Sequence, residues 1–540
     1  MDVGKMTCDS CNLHVSRALE RAGARDVSAD RHEGVATFAA DEGADLATLS
    51  AAVAEAGYEA ERVVVLEAAG APTHDPSGYD LLIVGAGSAA FAAAIGARDR
   101  GARVAVVEHG TVGGTCVNVG CVPPKALLRA GEVYHQAGHQ VFAGVETSAG
   151  EVDLSALVGQ KDELVDTMRR EKYLDLIPAH GFELIRGHAE FTGPDSIAVD
   201  GRTITAGAFL VATGASPSVP PIEGLAEAGY LTSTTALDLK ELPSTLAVIG
   251  ANAIGLELGQ FFLHLGTRVV FFDVLERIAP FEEPEVSEAF SEILRSEGAE
   301  IHAPASIVRV SGGAQGRVVH AVIDGEARGF AVEEVLVATG RRPNTSGMGL
   351  DAAGVELDER GAIVVDEHLR TTNPRVFAAG DVTPAPQFVY VSAYEGNLAA
   401  DNALSGSNRA VDLMSIPRVT FTTPQIASAG LTEAGAREQG RAVKTSVLPM
   451  SAVPRAIVDR DTRGLIKLVA DEASDELLGV SILAGSASEV IQAAVLALKF
   501  RATAEEIAES FHPYLTVAEG LKLAAQGFSK DVAMLSCCAA

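Results

Sequence analysis

The chain has 540 residues, of which 47% are hydrophobic, and its formal net charge at pH 7 is −30. Its length and apolar content predict several folded domains with sizeable cores, while the acidic charge argues against a nucleic-acid partner, because phosphate neutralisation requires clustered Lys and Arg. No run of about 18 uninterrupted apolar residues occurs, and "MDVGKMTCDS" lacks the features of a secretory signal. We therefore expect no stable membrane insertion and a cytoplasmic location.

Residues 1–68 have a pattern of their own. The segments "MTCDSCNLHVSRALERAGA" and "DLATLSAAVAEAGY" carry apolar residues at helical spacing, whereas "GVATFAA" and "RVVVLE" are typical of strands. With a short strand before the first helix, the order is β-α-β-β-α-β, which is the ferredoxin-like arrangement. Residues 69–77, rich in Ala, Pro and Gly, are expected to form a linker.

Two later segments each predict a strand, a tight turn, a helix and a second strand that ends on an acidic residue. They read "YDLLIVGAGSAAFAAAIGARDRGARVAVVEHG" and "TLAVIGANAIGLELGQFFLHLGTRVVFFDVLERI". Small residues in such a turn allow the backbone to approach a pyrophosphate, and the acid accepts a ribose hydroxyl. The residues that fit these roles are Gly85, Gly87, Ala90 and Glu108 in the first segment, and Gly250, Gly255 and Asp273 in the second. The chain is therefore expected to bind two dinucleotides.

The six cysteines fall into three close pairs. The pairs are Cys8 with Cys11, Cys116 with Cys121, and Cys537 with Cys538. In a large cytoplasmic chain, close pairs indicate metal-binding or redox thiols sooner than a disulfide framework. The middle pair lies in "GGTCVNVGCVPPKALL", where a loop is expected to enter a helix whose dipole stabilises a thiolate.

The stretch "GGTCVNVGCVPPK" resembles the redox-active disulfide of the flavin-dependent pyridine nucleotide disulfide oxidoreductases. The resemblance extends from about residue 79 to the end of the chain and includes "VATGASP", "VATGRRPN" and "RVFAAGDVT". It implies an α/β fold with two Rossmann-like domains and an α+β dimerisation domain. The implied domains are an FAD-binding domain at 78–229 and 346–415, an NAD(P)H-binding domain at 230–345, and the dimerisation domain at 416–540. It also implies a homodimer whose subunits share the active site.

The resemblance further implies individual roles. Cys121 would lie nearest the flavin as a thiolate, and Cys116 would be the outer, exchanging thiol. Lys125 would lie near the flavin ring and pair with Glu257, while Asp381 would bind the ribityl chain. Further cofactor contacts are implied at Gly110, Thr115, Ala189 and Val389.

The choice of nicotinamide cofactor stays open at this stage. The resemblance favours NADPH, but Asp273 stands where an acid accepts a 2′-hydroxyl and repels a 2′-phosphate. Arg277 could offset that repulsion. We expect some use of NADH.

Two features near the ends of the chain suggest which chemistry the redox pair serves. The sequence "MTCDSC" resembles the signature of heavy-metal-associated domains, so Cys8 and Cys11 are expected to bind a soft metal ion, with an unrelated redox pair as the alternative. Disulfide reductases of the family usually carry His-Pro-Thr near the C-terminus with a glutamate five residues after the histidine. Here Tyr514 replaces the threonine and Val517 the glutamate, so His512 is expected to pack, or to support a neighbouring site residue, rather than to act as a general base.

The terminal "LSCCAA" completes a resemblance to the metal-reducing branch of the family. It implies that Cys537 and Cys538 of one subunit reach the other subunit's active site, where Tyr173 and Tyr514 flank the metal. The implied activity is reduction of thiol-bound Hg(II) to Hg(0). Two alternatives remain: a lipoamide-type disulfide reductase fused to a metal-binding module, and a metal chaperone or sensor whose flavin domain reports redox state.

Overall fold

A computed structural model describes residues 1–4, 9–30, 35–39, 46–62, 78–313 and 316–534. The N-terminal elements are β1 (Asp2–Gly4), α1 (Asp9–Arg21), β2 (Arg25–Asp30), β3 (Val35–Ala39), α2 (Leu46–Glu55) and β4 (Glu59–Arg62). The strands form an antiparallel sheet in the order β2-β3-β1-β4. Val15 and Leu19 of α1, with Leu49 and Val53 of α2, are buried because their spacing of four places each pair on one helix face. The predicted element order is present, but β4 ends at Arg62, and the rest of "RVVVLE" lies outside the described residues.

The next unit is a parallel sheet of the Rossmann type. Its elements are β5 (Tyr79–Val84), α3 (Ser88–Asp99), β6 (Val104–Glu108), α4 (Val122–Gly138), α5 (Leu154–Arg169), α6 (Leu176–His180), β7 (Glu183–Arg186), β8 (Ala189–Gly193), β9 (Ser196–Val199), β10 (Arg202–Val211), β11 (Ala215–Pro217) and α7 (Leu225–Ala228). Strands β7, β6, β5 and β10 pair in parallel, and β9 and β8 continue from β10 as an antiparallel extension. The last four residues of β5, Leu81–Val84, are all apolar and buried because helices cover such a sheet on both faces.

The second unit repeats this plan. Its elements are β12 (Thr245–Ile249), α8 (Ala253–His264), β13 (Arg268–Phe272), α9 (Pro284–Ser296), β14 (Glu300–His302), β15 (Ser306–Gly313), β16 (Gly316–Ile323), β17 (Glu326–Val332), β18 (Glu334–Val337) and β19 (Arg341–Pro343). The parallel sheet has the order β14-β13-β12-β18, and β15, β16 and β17 form an antiparallel sheet beside it. Pairing of β11 with β19 joins the two units.

The chain then returns to the first unit. Strand β20 (Val376–Ala378) pairs in parallel with β10, and α10 (Val389–Ser405) packs on α3. Gly396 of α10 lies so close to Ala89 that any Cβ would overlap the Ala89 carbonyl oxygen. This contact explains why a small residue is required on α10.

The last unit is an α+β domain. Its elements are β21 (Pro417–Thr420), β22 (Gln425–Gly430), α11 (Glu433–Glu438), β23 (Val443–Pro449), α12 (Pro454–Asp459), β24 (Leu465–Asp471), β25 (Leu477–Ala484), α13 (Ala487–Lys499), α14 (Ala504–Glu509) and α15 (Glu519–Gln526). The strands form an antiparallel sheet in the order β21-β22-β25-β24-β23. Lys467 of β24 is buried and contacts Glu283, Glu285 and Glu433 at 2.8 to 3.0 Å, which anchors this sheet to the second unit. The predicted fold class is confirmed.

Every helix among the described residues is too short or too polar to traverse a lipid bilayer.

Candidate active site between the two dinucleotide-binding units

A cavity of about 1560 Å³ lies where the two units and the last domain meet. The turns after β5 and β12 and the first residues of α3 and α8 open into it. Twelve of the residues predicted from the sequence line this cavity: Gly85, Gly87, Glu108, Thr115, Cys116, Cys121, Lys125, Gly250, Glu257, Asp273, Asp381 and Val389. Residues far apart in the chain therefore converge on one site.

The first turn has the shape that a dinucleotide requires. Gly85 has φ +104°, and a Cβ there would overlap the carbonyl oxygen of Ala212. Gly87 precedes α3 without a side-chain cap, so the first amides of the helix are available to a phosphate. Glu108 accepts hydrogen bonds from the Ala86 amide at 2.8 Å and the Gly110 amide at 2.6 Å, which places the acid beside the turn.

The second turn has the same geometry. Gly250 has φ +99° and lies against the carbonyl oxygen of Ala338. Asp273 accepts hydrogen bonds from the amides of Ala251 at 2.8 Å and Leu275 at 2.9 Å, as Glu108 does in the first unit. The two cradles, each closed by a glycine that admits no Cβ, fit the FAD and the nicotinamide dinucleotide expected from the sequence.

The sequence left open whether Arg277 offsets the repulsion between Asp273 and a 2′-phosphate, and the structure engages Arg277 elsewhere. Its guanidinium donates to the carbonyl oxygens of Pro280 at 2.9 Å and Glu282 at 3.2 Å. The guanidinium is therefore engaged with the backbone of its own loop. The acidic character of Asp273 is not offset by this residue.

The two redox cysteines are linked by a π-helical turn, Cys116–Gly120, rather than by the expected loop. The Cys121 amide donates to the Cys116 carbonyl at 2.8 Å, which closes the five-residue turn. Cys121 then caps α4, whose first turn contains Pro123 and Pro124 as predicted. The wider turn brings both thiols, each half-buried, to the same side of the backbone at the start of a helix.

The two thiols differ in acidity. A hydrogen bond from the Cys116 thiol lowers the pKa of Cys121, and the Lys125 ammonium lowers it further, although burial opposes both. The same hydrogen bond, together with burial, raises the pKa of Cys116. Cys121 is therefore the more acidic thiol of the pair and Cys116 the less acidic one.

The predicted ion pair between Lys125 and Glu257 is present. The Lys125 Nζ lies 2.8 Å from Glu257 Oε2, and the glutamate side chain is 7% exposed. Glu257 Oε1 also accepts the Phe421 amide at 2.9 Å, and Lys125 Nζ lies 4.8 Å from the Phe421 ring centroid. Glu257 is thus a buried counter-ion that holds an ammonium at the cavity wall.

Two charged residues of the site were missed from the sequence. Arg341 donates to Thr115 Oγ1 at 3.3 Å, and its Nε lies 3.8 Å from Asp381, whose pKa is raised by burial. Glu395 of α10 is 1% exposed and accepts the Gly380 amide at 2.7 Å; burial raises its pKa to about 7. Arg341 belongs to the family motif "VATGRRPN", so the motif could have identified it as a site residue, whereas Glu395 lies in no motif quoted above.

Tyr173 lies beside the redox pair, and Tyr514 does not line the cavity of its own chain. The Tyr173 ring packs edge-on against Phe91 at 4.8 Å, and its hydroxyl is 3.5 Å from Ser88 Oγ. Burial raises the pKa of Tyr173, and the two cysteines contribute to the shift. Tyr514 is 51% exposed on the loop before α15.

The loop that carries Tyr514 also shows why a disulfide-reductase dyad is absent at this position of the described chain. His512 Nδ1 lies 3.3 Å from the carbonyl oxygen of Ser510, and Glu519 accepts the Leu515 amide at 3.3 Å. Glu519 is thus directed to its own loop backbone. The role of His512 stays a prediction.

The other predicted residues lie outside the cavity lining. Ala90 is buried in the packing of α3, and Gly255 lies under the Gly250 carbonyl. Gly110 is in an exposed turn, and Ala189 is buried in the core on β8. Cys11 is buried in the core of the N-terminal unit. The remaining metal-site predictions, Cys8, Cys537 and Cys538, lie outside the described residues.

Comparison with known proteins agrees with this geometry. The family model for pyridine nucleotide-disulphide oxidoreductases matches residues 79–396, and the model for their dimerisation domain matches residues 416–525. The chain belongs to this family and is an NAD(P)H-dependent flavoprotein oxidoreductase whose cofactors are FAD and NAD(P)H.

Its relatives include proteins named mercuric reductase. That of Staphylococcus aureus is 49% identical over 99% of this chain and 98% of its own length, and that of Lysinibacillus sphaericus is 47% identical over 100% and 99%. Among solved structures, the Cu(II) complex of the HOCl-induced flavoprotein disulfide reductase RclA from Escherichia coli has a TM-score of 0.76 at 30% identity, covering 84% of this chain and 100% of that one. LpdA from Mycobacterium tuberculosis has a TM-score of 0.74 at 26% identity, covering 83% and 99%.

Proposed function

We propose that this enzyme reduces thiol-bound Hg(II) to Hg(0) with two electrons from NAD(P)H, and so detoxifies mercury. The observation that carries the proposal is the Cys116 and Cys121 pair, which lies in a cavity reached by both dinucleotide turns and contains one acidic and one proton-bearing thiol. The full-length relatives named mercuric reductase support mercury as the substrate. The reaction balances: two electrons reduce Hg(II), two thiolate ligands are released, and one of them takes up a proton.

The residues of the cavity are proposed to have different roles in electron transfer and thiol exchange. FAD, when bound, would supply two-electron transfer from the nicotinamide, one reduced equivalent to open the disulfide between Cys116 and Cys121 and a second for the metal that the two thiolates hold. Lys125, held by Glu257, keeps a positive charge at the cavity wall, where it stabilises negative charge on Cys121. Cys121 would attack the metal complex first, and Cys116 would give up its proton to a departing thiolate as it becomes the second ligand.

Three thiol pairs are proposed to carry the metal inward. Hg(II) favours two soft ligands, and each pair supplies two thiolates. The ion would pass from Cys8 and Cys11, on a heavy-metal-associated domain, to the C-terminal pair of the partner subunit, and then to Cys116 and Cys121. Each transfer is an attack by an incoming thiolate, so that no free ion is released. Tethering on the same chain would raise the effective concentration of the first pair near the next.

A homodimer with a shared site completes the proposal. The match to a dimerisation domain supports association of two chains. The exposure of Phe511 and Tyr514 on the loop before α15 supports a role for this loop at the partner's site, where Tyr514 would join Tyr173 beside the metal. The cytoplasm, which supplies NAD(P)H and small thiols, is the proposed location.

The proposal is tested by following NAD(P)H oxidation with a thiol-liganded Hg(II) complex while volatile mercury is trapped. We expect wild-type enzyme to release Hg(0), and Cys537→Ala/Cys538→Ala to lose most of this activity at limiting substrate. Lipoamide serves as the comparison substrate. Rapid lipoamide reduction with no effect of the tail substitutions indicates a disulfide reductase, and tight metal binding without NAD(P)H oxidation indicates a chaperone or sensor; either result contradicts the proposal.

A further inference from the structure

A second group of possible metal ligands lies at the ends of α4 and α8 that are remote from the redox cysteines. His135 is in the last turn of α4, which begins after Cys121, and His264 ends α8, which carries Glu257. Glu297 follows α9. The ligand atoms of His135, His264 and Glu297 all lie within 4.8 Å of one another. Three elements of two different units therefore meet at a set of two imidazoles and one carboxylate.

The imidazoles of this cluster are suited to act as ligands. The His135 ring stacks against the rings of His139 and His264, with 4.1 Å between centroids in each case. His264 Nε2 lies 3.2 Å from Glu297 Oε2. Neutral imidazole nitrogen and carboxylate oxygen form a donor set typical of zinc sites.

The cluster contains more carboxylates than the neighbouring arginine can neutralise. Arg463 donates to Glu297 Oε1 at 2.9 Å, but it also makes two hydrogen bonds to Asp461, at 2.8 and 2.9 Å. One guanidinium thus faces two carboxylates. Glu297 Oε1 accepts a hydrogen bond from Arg463 and keeps a second lone pair that a metal can use.

The orientation of the carboxylate is fixed by neighbours that are not ligands. Gln260, 2% exposed, donates to Glu297 Oε2 at 3.0 Å and is itself held by the Thr423 backbone. Such outer contacts orient metal ligands and are a regular part of protein metal sites. Tetrahedral ligands about 2.1 Å from zinc lie about 3.4 Å apart, so ligand atoms that lie within 4.8 Å of one another must approach by up to about 1.4 Å. The His135 and His264 rings are nearly parallel, so one of them must also turn to direct its lone pair at the ion; His135 is only half-buried, and rotation of its ring can supply both movements.

We propose that His135, His264 and Glu297 bind a divalent transition-metal ion of the Zn(II) class, at a site separate from the thiols that handle mercury. This inference goes beyond the proposed function and does not depend on it. The bound ion would join α4 of the first unit to α8 of the second, at the ends opposite to Cys121 and Glu257. It would thereby hold the two dinucleotide-binding units together without taking part in electron transfer, because Zn(II) has no redox chemistry.

The test uses oxidised holoenzyme in which the remaining thiols have been alkylated, so that cysteine cannot contribute ligands. Titration calorimetry with Zn(II) alone should show one ion per chain in the wild type. His135→Gln and Glu297→Gln should each weaken this binding at least about tenfold. His302→Gln is the matched control, because His302 lies 2.8 Å from Glu300 without a second imidazole, and it should bind as the wild type does.

A spectroscopic readout identifies the ligands. Cu(II) added to the same alkylated, oxidised enzyme should show hyperfine coupling to two nitrogen nuclei, and His135→Gln should reduce this to one. Absence of stoichiometric Zn(II) binding in the wild type would overturn the proposal. So would equal binding by the wild type and His135→Gln, or a loss of binding in His302→Gln as large as that in His135→Gln. Because His135 is half-buried, its substitution leaves the helix core intact.

Discussion

The nicotinamide preference follows from the surroundings of Asp273, and we predict that NADH is preferred over NADPH. The 2′-phosphate of NADPH carries between one and two negative charges. Like charges about 5 Å apart repel by about 3 kcal/mol at an effective dielectric constant of about 20, which corresponds to roughly a hundredfold in the specificity constant. Arg277, the residue that could offset this repulsion, donates to the carbonyl oxygens of Pro280 and Glu282 instead.

The substitution Asp273→Asn tests this reasoning. The amide oxygen of asparagine can still accept the Ala251 amide, so the turn is kept while the negative charge is removed. We expect the kcat/KM ratio of NADPH to NADH to rise by roughly a hundredfold in this variant. Asp273→Glu, which keeps the charge, is the control and should retain the preference for NADH. A wild-type preference for NADPH, or an unchanged ratio in Asp273→Asn, would refute the electrostatic argument.

Three further predictions concern the cavity wall and the domain contacts. Lys125 lowers the pKa of Cys121, and Glu257 raises it. In reduced enzyme, Lys125→Met should therefore slow the alkylation of Cys121 by iodoacetamide, and Glu257→Gln should accelerate it, each by about three- to tenfold. A change of the same sign in both variants would contradict this. Lys467→Met should cost about 3–5 kcal/mol of stability in denaturant unfolding, because it leaves three carboxylates together, and a loss below about 1 kcal/mol would count against a buried ion cluster. The pKa of Glu395 is raised from 4.5 to about 7, so the folded state binds this proton more tightly than the unfolded state does, and stability falls as pH rises from 4.5 to 7. Glu395→Gln should lack this fall when the thermal unfolding temperature is measured against pH. A pH profile equal to that of the wild type would refute the prediction.

The parts of the site that local sequence determines were predictable. Gly85 and Gly250 predict their turns, because glycine adopts positive φ values readily and because a Cβ at either position would overlap a neighbouring carbonyl oxygen. The prolines after Cys121 likewise announce the start of α4. The Lys125 and Glu257 pair was foreseen through the resemblance, since the two residues are separated by 132 positions.

The parts that depend on tertiary contacts were not predictable. The π-helical turn between the cysteines differs from a loop by hydrogen bonds that leave no local signal in "CVNVG". Arg341 and Glu395 acquire their environments when β19 and α10 reach the cavity. His135, His264 and Glu297 come together only when α4, α8 and α9 pack, so no spacing in the sequence identifies them.

Cys116 and Cys121 are proposed to hold Hg(II) while two electrons from NAD(P)H reduce it to Hg(0). The most direct measurement is the molar ratio of trapped Hg(0) to oxidised NAD(P)H during turnover of purified holoenzyme under anaerobic conditions. The account predicts one Hg(0) for each NAD(P)H in the wild type and no Hg(0) from Cys121→Ser. Oxidation of NAD(P)H without trapped mercury, or undiminished mercury release by Cys121→Ser, would contradict it.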